Sequence, residues 1–133
     1  SRGLGDVYKR QRIAEMEKSL AKDNPEKKRD AFHSNMLIKE LMPGFWQPSA
    51  ALAWTYAELG EYERALDEVE NAAALSANAN ASAASQATFI PFVEAFALDG
   101  LGRTAEAIDA VNRSLEMRRT QPAEELLKRL LSK

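Results

Sequence analysis

The phrase Leu59-Gly60-Glu61-Tyr62-Glu63-Arg64-Ala65-Leu66 returns as Leu101-Gly102-Arg103-Thr104-Ala105-Glu106-Ala107-Ile108. The match is gapless: Leu-Gly, four residues, then Ala-aliphatic. Each copy closes an apolar helical stretch, Leu52 to Leu59 and Phe89 to Leu101, and opens another, Tyr62 to Leu75 and Ala105 to Leu115. Two helices joined at a Gly, repeated along a chain, mark a helical solenoid, in which each unit buries its apolar face against its neighbours. Such a stack is built to hold something, and the repeat itself does not say what.

Gly and Pro are rare and sit where helices should stop or start. Arg12 to Lys22 reads as a helix, ended by Asp23-Asn24-Pro25. Glu26 to Met42 reads as the next, with Phe32, Met36, Leu37, Ile38, Leu41 and Met42 dense toward its end, closed by Pro43-Gly44. Pro48 and Ser49 start a third helix to Leu59, apolar nearly all round, which predicts burial on more than one side. A fourth runs from about Glu61 to Leu75, with Tyr62, Ala65, Leu66, Val69, Ala72 and Ala73 in one stripe. Ser76 to Ser85 is an Ala/Asn/Ser stretch compatible with turn or helix. A fifth helix spans Thr88 to Asp99. A sixth ends near Arg119, with Thr104 as its expected cap. A seventh opens at Thr120-Gln121-Pro122. In that last helix Ala123, Leu126, Leu127, Leu130 and Leu131 form one apolar stripe, and Glu124 and Glu125 precede Lys128, Arg129 and Lys133. This is the charge order that the helix dipole favours, on a helix fit to cover the last unit. Gly60 and Gly102 are 42 residues apart. A period near 34 is usual for such repeats, so the excess of about eight falls on Ser76–Ser85.

Asp6-Val7-Tyr8-Lys9-Arg10-Gln11 is what GATGTGTATAAGAGACAG encodes, a transposase end sequence used in preparing sequencing libraries. The chain also lacks an initiator Met. Residues 1–11 are therefore read as a translated adaptor fused to a truncated frame and set aside from the fold, with an upstream part of the protein missing. They hold three basic residues and one acid. Without them the balance is 15 basic to 19 acidic, or −4. Phosphate binding needs clustered positive charge, so this composition argues against nucleic acid. Lys27-Lys28-Arg29 and Arg118-Arg119 are read as solvated helix faces. There is no Cys, hence no disulfide framework or thiolate chemistry. No stretch is long and apolar enough to span a membrane.

The helix-Gly-helix units resemble the tetratricopeptide repeat. Leu52-Ala53, Tyr56, Gly60, Tyr62, Ala65, Val69 and Ala72 match its consensus residue by residue, with Ala77 in place of the closing Pro and Ser49 in place of the opening aromatic. A second copy keeps Ala95, Leu98, Gly102, Ala107 and Val111 but has Glu94, Thr104 and Ser114 where Leu, an aromatic and Ala are usual. Residues 12–44, ending Leu41-Met42-Pro43-Gly44, would be a divergent unit. The resemblance implies an all-α fold, a right-handed α-α superhelix of about three helix pairs. The units are 12–44, 47–77 and 88–119, and residues 120–133 form the capping helix. It also implies a concave face lined by the first helix of each unit: Gln47, Ala50, Trp54, Ala57 and Glu58 from the central unit, Phe89, Phe92, Phe96 and Asp99 from the last. Spacing alone puts residues 47, 50, 54 and 58 on one face, and 89, 92, 96 and 99 on another. The face is aromatic and lacks the cationic set that would clamp a peptide's terminal carboxylate. The same aromatics also suit a core between helices, and both readings stand at this point.

No residue pattern carries chemistry. Gly100-Leu101-Gly102 has no strand before it and no Lys-Ser/Thr after it. His33 and Ser34 are adjacent on a helix and point apart. One His and no clustered ligands argue against a zinc site. The expected function is a non-enzymatic interaction module that takes a protein or peptide on the aromatic face, with no cofactor, metal, nucleic acid or membrane partner. The alternative is the regulatory tail of a larger bacterial signalling protein, since repeats of this family often follow cyclase, kinase or winged-helix domains. The adaptor reading generates the first prediction. Deleting residues 1–11 leaves the thermal midpoint nearly unchanged, whereas a drop of several degrees in a calorimetric scan means that they carry packing.

Overall fold

In a computed structural model of the chain, residues 25–79 and 87–133 are described. They form six helices: α1 (Pro25–Leu41), α2 (Gln47–Glu58), α3 (Tyr62–Ala77), α4 (Phe89–Gly100), α5 (Thr104–Met117) and α6 (Gln121–Leu131). No strand occurs among the described residues, so the fold is all-α. Each bound falls within two residues of its sequence expectation. The expected helix over Arg12–Lys22, the segment 1–11 and residues 80–85 of the Ser76–Ser85 stretch lie outside the described residues. By its contacts the chain divides into two units, residues 1–34 and 35–133. The described part of the first is the opening half of α1, where Phe32 meets the exposed His33 edge-on at 5.8 Å between ring centroids.

Within the second unit, α2 packs on α3 and α4 on α5. Pairing then passes along the chain, α3 to α4 and α5 to α6, while α2 meets α4 and α4 meets α6. This order of adjacent pairs is that of a helical repeat stack. It follows from where the sequence puts its apolar residues. α3 and α5 each bury one stripe, Ala65, Val69 and Ala72 in one and Ala107, Ala110, Val111 and Ser114 in the other. α4 buries Ile90, Pro91, Val93, Ala95, Ala97 and Leu98, residues that point in several directions, and it is the helix that meets four others. Ala53, Ala65, Ala72, Ala95, Ala97, Ala107 and Ala110 are wholly buried, and their small side chains let the backbones close up. The fully buried Leu52, Val93, Val111 and Leu130 add roughly 1.5–3 kcal/mol each to the apolar drive for folding.

The two copies of the repeated phrase adopt one geometry. Gly60 and Gly102 have φ of 81° and 75°. The amide of the next residue reaches back to close the preceding helix, Glu61 N–H to the Tyr56 carbonyl at 2.8 Å and Arg103 N–H to the Leu98 carbonyl at 2.9 Å. That is the Schellman closure, and it requires a left-handed residue at the Gly position. Offset by 42, Ala65 and Ala107, Val69 and Val111, and Ala72 and Ser114 are all buried.

Two helix starts differ from expectation or add to it. Thr104 is the first residue of α5, not its cap. The cap position is Arg103, without a side-chain hydrogen bond to the backbone. Instead Arg103 Nε donates to Glu106 Oε1 at 3.0 Å, which raises the guanidinium's pKa and lowers that of the carboxyl. Thr120 does cap α6, its Oγ1 accepting from the Ala123 amide at 3.4 Å.

Polar side chains tie the two helices within each unit. Asn71 Nδ2 donates to the buried Ser49 Oγ at 2.8 Å. Thr88 Oγ1 donates to the Ser114 carbonyl, and Ser114 Oγ to the Thr88 carbonyl, both at 2.9 Å. The residue that departs from the usual Ala thus pins the start of α4. Tyr62, at the turn of the central unit, lies against Gly100: a Cβ there would come within 2.3 Å of its ring.

Two outcomes test this packing. At Gly102 a Cβ meets open space, so Gly102→Ala isolates backbone strain of about 1–2 kcal/mol. Near 100 residues each kcal/mol lowers the thermal midpoint by roughly 4–8 °C. In α6, Leu130 is 1% exposed and Leu131 65%. Denaturant unfolding should therefore show a loss of about 2–5 kcal/mol for Leu130→Ala and within about 0.5 kcal/mol of no change for Leu131→Ala.

Candidate functional site

Helices α2 and α4 lie side by side, and the residues spaced along their common face are large rings. Trp54 on α2 is the hub. Its ring centroid is 5.0 Å from Phe96, 5.8 Å from Phe89 and 5.9 Å from Phe92, and Phe89 and Phe92 are 6.1 Å apart. These separations lie in the range of favourable aromatic pairs. Three of the four rings pack on the core, and all four are partly exposed. Trp54 and Phe92 rest on the core around Trp46, Ala53, Val69 and Val93, and Phe96 on that around Ala57, Ala65 and Ala97. Yet Trp54, Phe92 and Phe96 are only half-buried, and Phe89 is 37% exposed. The two sequence readings of these aromatics are therefore not exclusive. The inner edges of the rings are core and the outer edges are surface.

The other expected face residues divide. Gln47 is exposed at the first position of α2, and Glu58 is half-buried at its end. Ala50, expected on the face, is 3% exposed and belongs to the core beside Trp46; Ala57 is buried likewise. A methyl group flanked by larger side chains is covered by them even when its helical position points outward. Trp46 is also core at 7% exposure, while the neighbouring Phe45 is 51% exposed.

Asp99, one turn beyond Phe96, is the polar end of the aromatic row. Its side chain is only 12% exposed and receives two cations, Arg129 Nη2 of α6 at 3.3 Å from Oδ2 and Lys133 Nζ, two residues past α6, on Oδ1. Both cations are about half exposed. Sequence reading missed them as part of this face because they lie 30 and 34 residues away along the chain. The only local signal was the placement of Arg129 and Lys133 late in a capping helix.

On another flank of α4 an open cleft of about 530 Å³ runs between α3, α4 and α5, with Ile90, Pro91 and Ala87 at its base. Arg113 and Glu94 face each other on its wall as an ion pair at 3.1 Å. Among the described residues no group of His, Asp and Glu is placed to hold a metal ion, and no helix is long and apolar enough to cross a membrane. What the aromatic face can do is bind: it offers apolar contact area with a charged end. No family model matches the sequence, and no curated protein matches it.

Proposed function

We propose that the chain is a tetratricopeptide-like interaction module that takes a segment of a partner protein on the aromatic face of α2 and α4. One observation carries the reading: three Phe rings gathered around Trp54, with Trp54, Phe92 and Phe96 packed on two core clusters and all four rings partly exposed. Rings held by a packed scaffold lose little conformational entropy on binding, which is what makes aromatic residues effective anchors. The flanking residues suit a rim, since Gln47 and the cations on Asp99 can satisfy polar groups of a bound chain.

The test separates affinity from stability at Trp54. Peptides selected on the full chain by phage display bind Trp54→Ala at least about 30-fold more weakly, the loss expected of an aromatic anchor worth about 2 kcal/mol or more. Because Trp54 is half-buried, the same substitution costs less than the roughly 3–5 kcal/mol of an emptied core aromatic site. Selection that recovers no binder, or binders indifferent to Trp54→Ala, removes the aromatic face as the docking surface.

A further inference from the structure

A second apolar surface on the unit 35–133 is exposed among the described residues. Leu37, Ile38 and Leu41 of α1 and Met42, which closes it, fall at i, i+1, i+4 and i+5, within an arc of about 140°. They are 55%, 41%, 71% and 46% exposed, and Phe45 follows at 51%. The opposite side of the same helix turns toward α3, where Lys39 Nζ is 2.6 Å from Glu68 Oε1. The helix thus presents its oily face outward and is tied by its polar face, the reverse of an ordinary surface helix. Clustered exposed apolar side chains of this kind mark contact with another molecule.

The two open surfaces fit each other. The strip from Leu37 to Met42 is about 7.5 Å long and the row from Phe89 to Phe96 about 10 Å, at 1.5 Å per residue. One is a projecting helix with aliphatic and Met side chains, and the other is a platform of rings, the pairing found where an amphipathic helix docks in a groove. Their charges are complementary too. Glu40 is exposed at the rim of the strip, one turn from Leu37, and among the described residues it has no ion pair. The aromatic row ends where Arg129 and Lys133 share the single carboxylate of Asp99, leaving one positive charge uncompensated at that carboxylate.

We infer that the occupant of the aromatic face is a second copy of this chain, docked through the Leu37–Phe45 strip of α1. The inference rests on the reading of that face as a docking surface. Leu37 and Leu41 of one copy cover Trp54, Phe89 and Phe92 of the next, with Glu40 steered toward Arg129 and Lys133. The contact is heterologous, because strip and platform are different surfaces. Each added copy leaves one of each open, so association continues into rings or chains instead of stopping at two.

The experiment uses two surface variants of the full chain. Leu41→Glu disables the strip and Phe89→Glu the platform. Leu41 is 71% exposed, and an acid at Phe89 sits in the first turn of α4, where the helix dipole favours it, so both should fold. In sedimentation velocity the parent gains mass with concentration from micromolar upward, and each variant alone weakens this at least about tenfold. Mixed one to one, the variants form a complex of two chains and no larger, because only one intact strip and one intact platform remain. If Phe89→Glu melts early, Trp54→Ala replaces it in the same mixture. A parent that stays monomeric overturns the inference. So do variants that associate like the parent, or a mixture that gives no two-chain complex. If the parent is monomeric while displayed peptides still bind in a Trp54-dependent way, self-association falls and the docking face stands. If both fail, the face itself is wrong.

Discussion

The organisation of this chain depends on one constraint, that a helix apolar on all sides must be surrounded. Ile90, Pro91, Val93, Ala95, Ala97 and Leu98 point in several directions from α4, and no single neighbour can cover them. α2, α3, α5 and α6 each take a share. Closing four helices around a fifth demands near contact between backbones, and the wholly buried alanines make that contact possible. The aromatic face is what remains of α4 once those neighbours are in place. Its rings are too large to be swallowed and too well backed to move freely.

The Gly turns convert this packing into a repeat. With φ positive at Gly60 and Gly102, the chain leaves α2 and α4 in the same way, and the next helix starts at the same offset. Equivalent residues of α3 and α5 then reach equivalent burial without any sequence identity beyond a few small and aliphatic positions. The extra residues of the 42-residue period fall between α3 and α4.

Much of the architecture was legible because its determinants are local. Apolar spacing, Pro48, Gly60, Gly102 and Pro122 mark the helices to within two residues, and spacing alone lined up Phe89, Phe92 and Phe96. What escaped depends on contacts between distant segments. Ala50 has the right helical angle for the face but is too small to reach past Trp46 and Trp54. Ser114 looks like a weak match to a repeat position, and its exchange of hydrogen bonds with Thr88 is invisible until α4 and α5 are packed. The two cations on Asp99 come from Arg129 in α6 and Lys133 just past it, and no spacing rule joins residues 30 and 34 apart. The apolar end of α1 reads like any buried helix. Only the structure shows which of its sides faces out.

The seating of Tyr62 on Gly100 gives the stack a direction. The residue that corresponds to Tyr62 in the following unit is Thr104, and the one that corresponds to Gly100 in the preceding unit is Glu58. A ring projects forward from the central unit into a space that only the last unit leaves vacant. With the two units transposed, Thr104 would meet Glu58 across that joint, a short side chain against a long acidic one. Although they share a turn and a burial pattern, the units are therefore not interchangeable modules, and their order is written into the shape of a single joint.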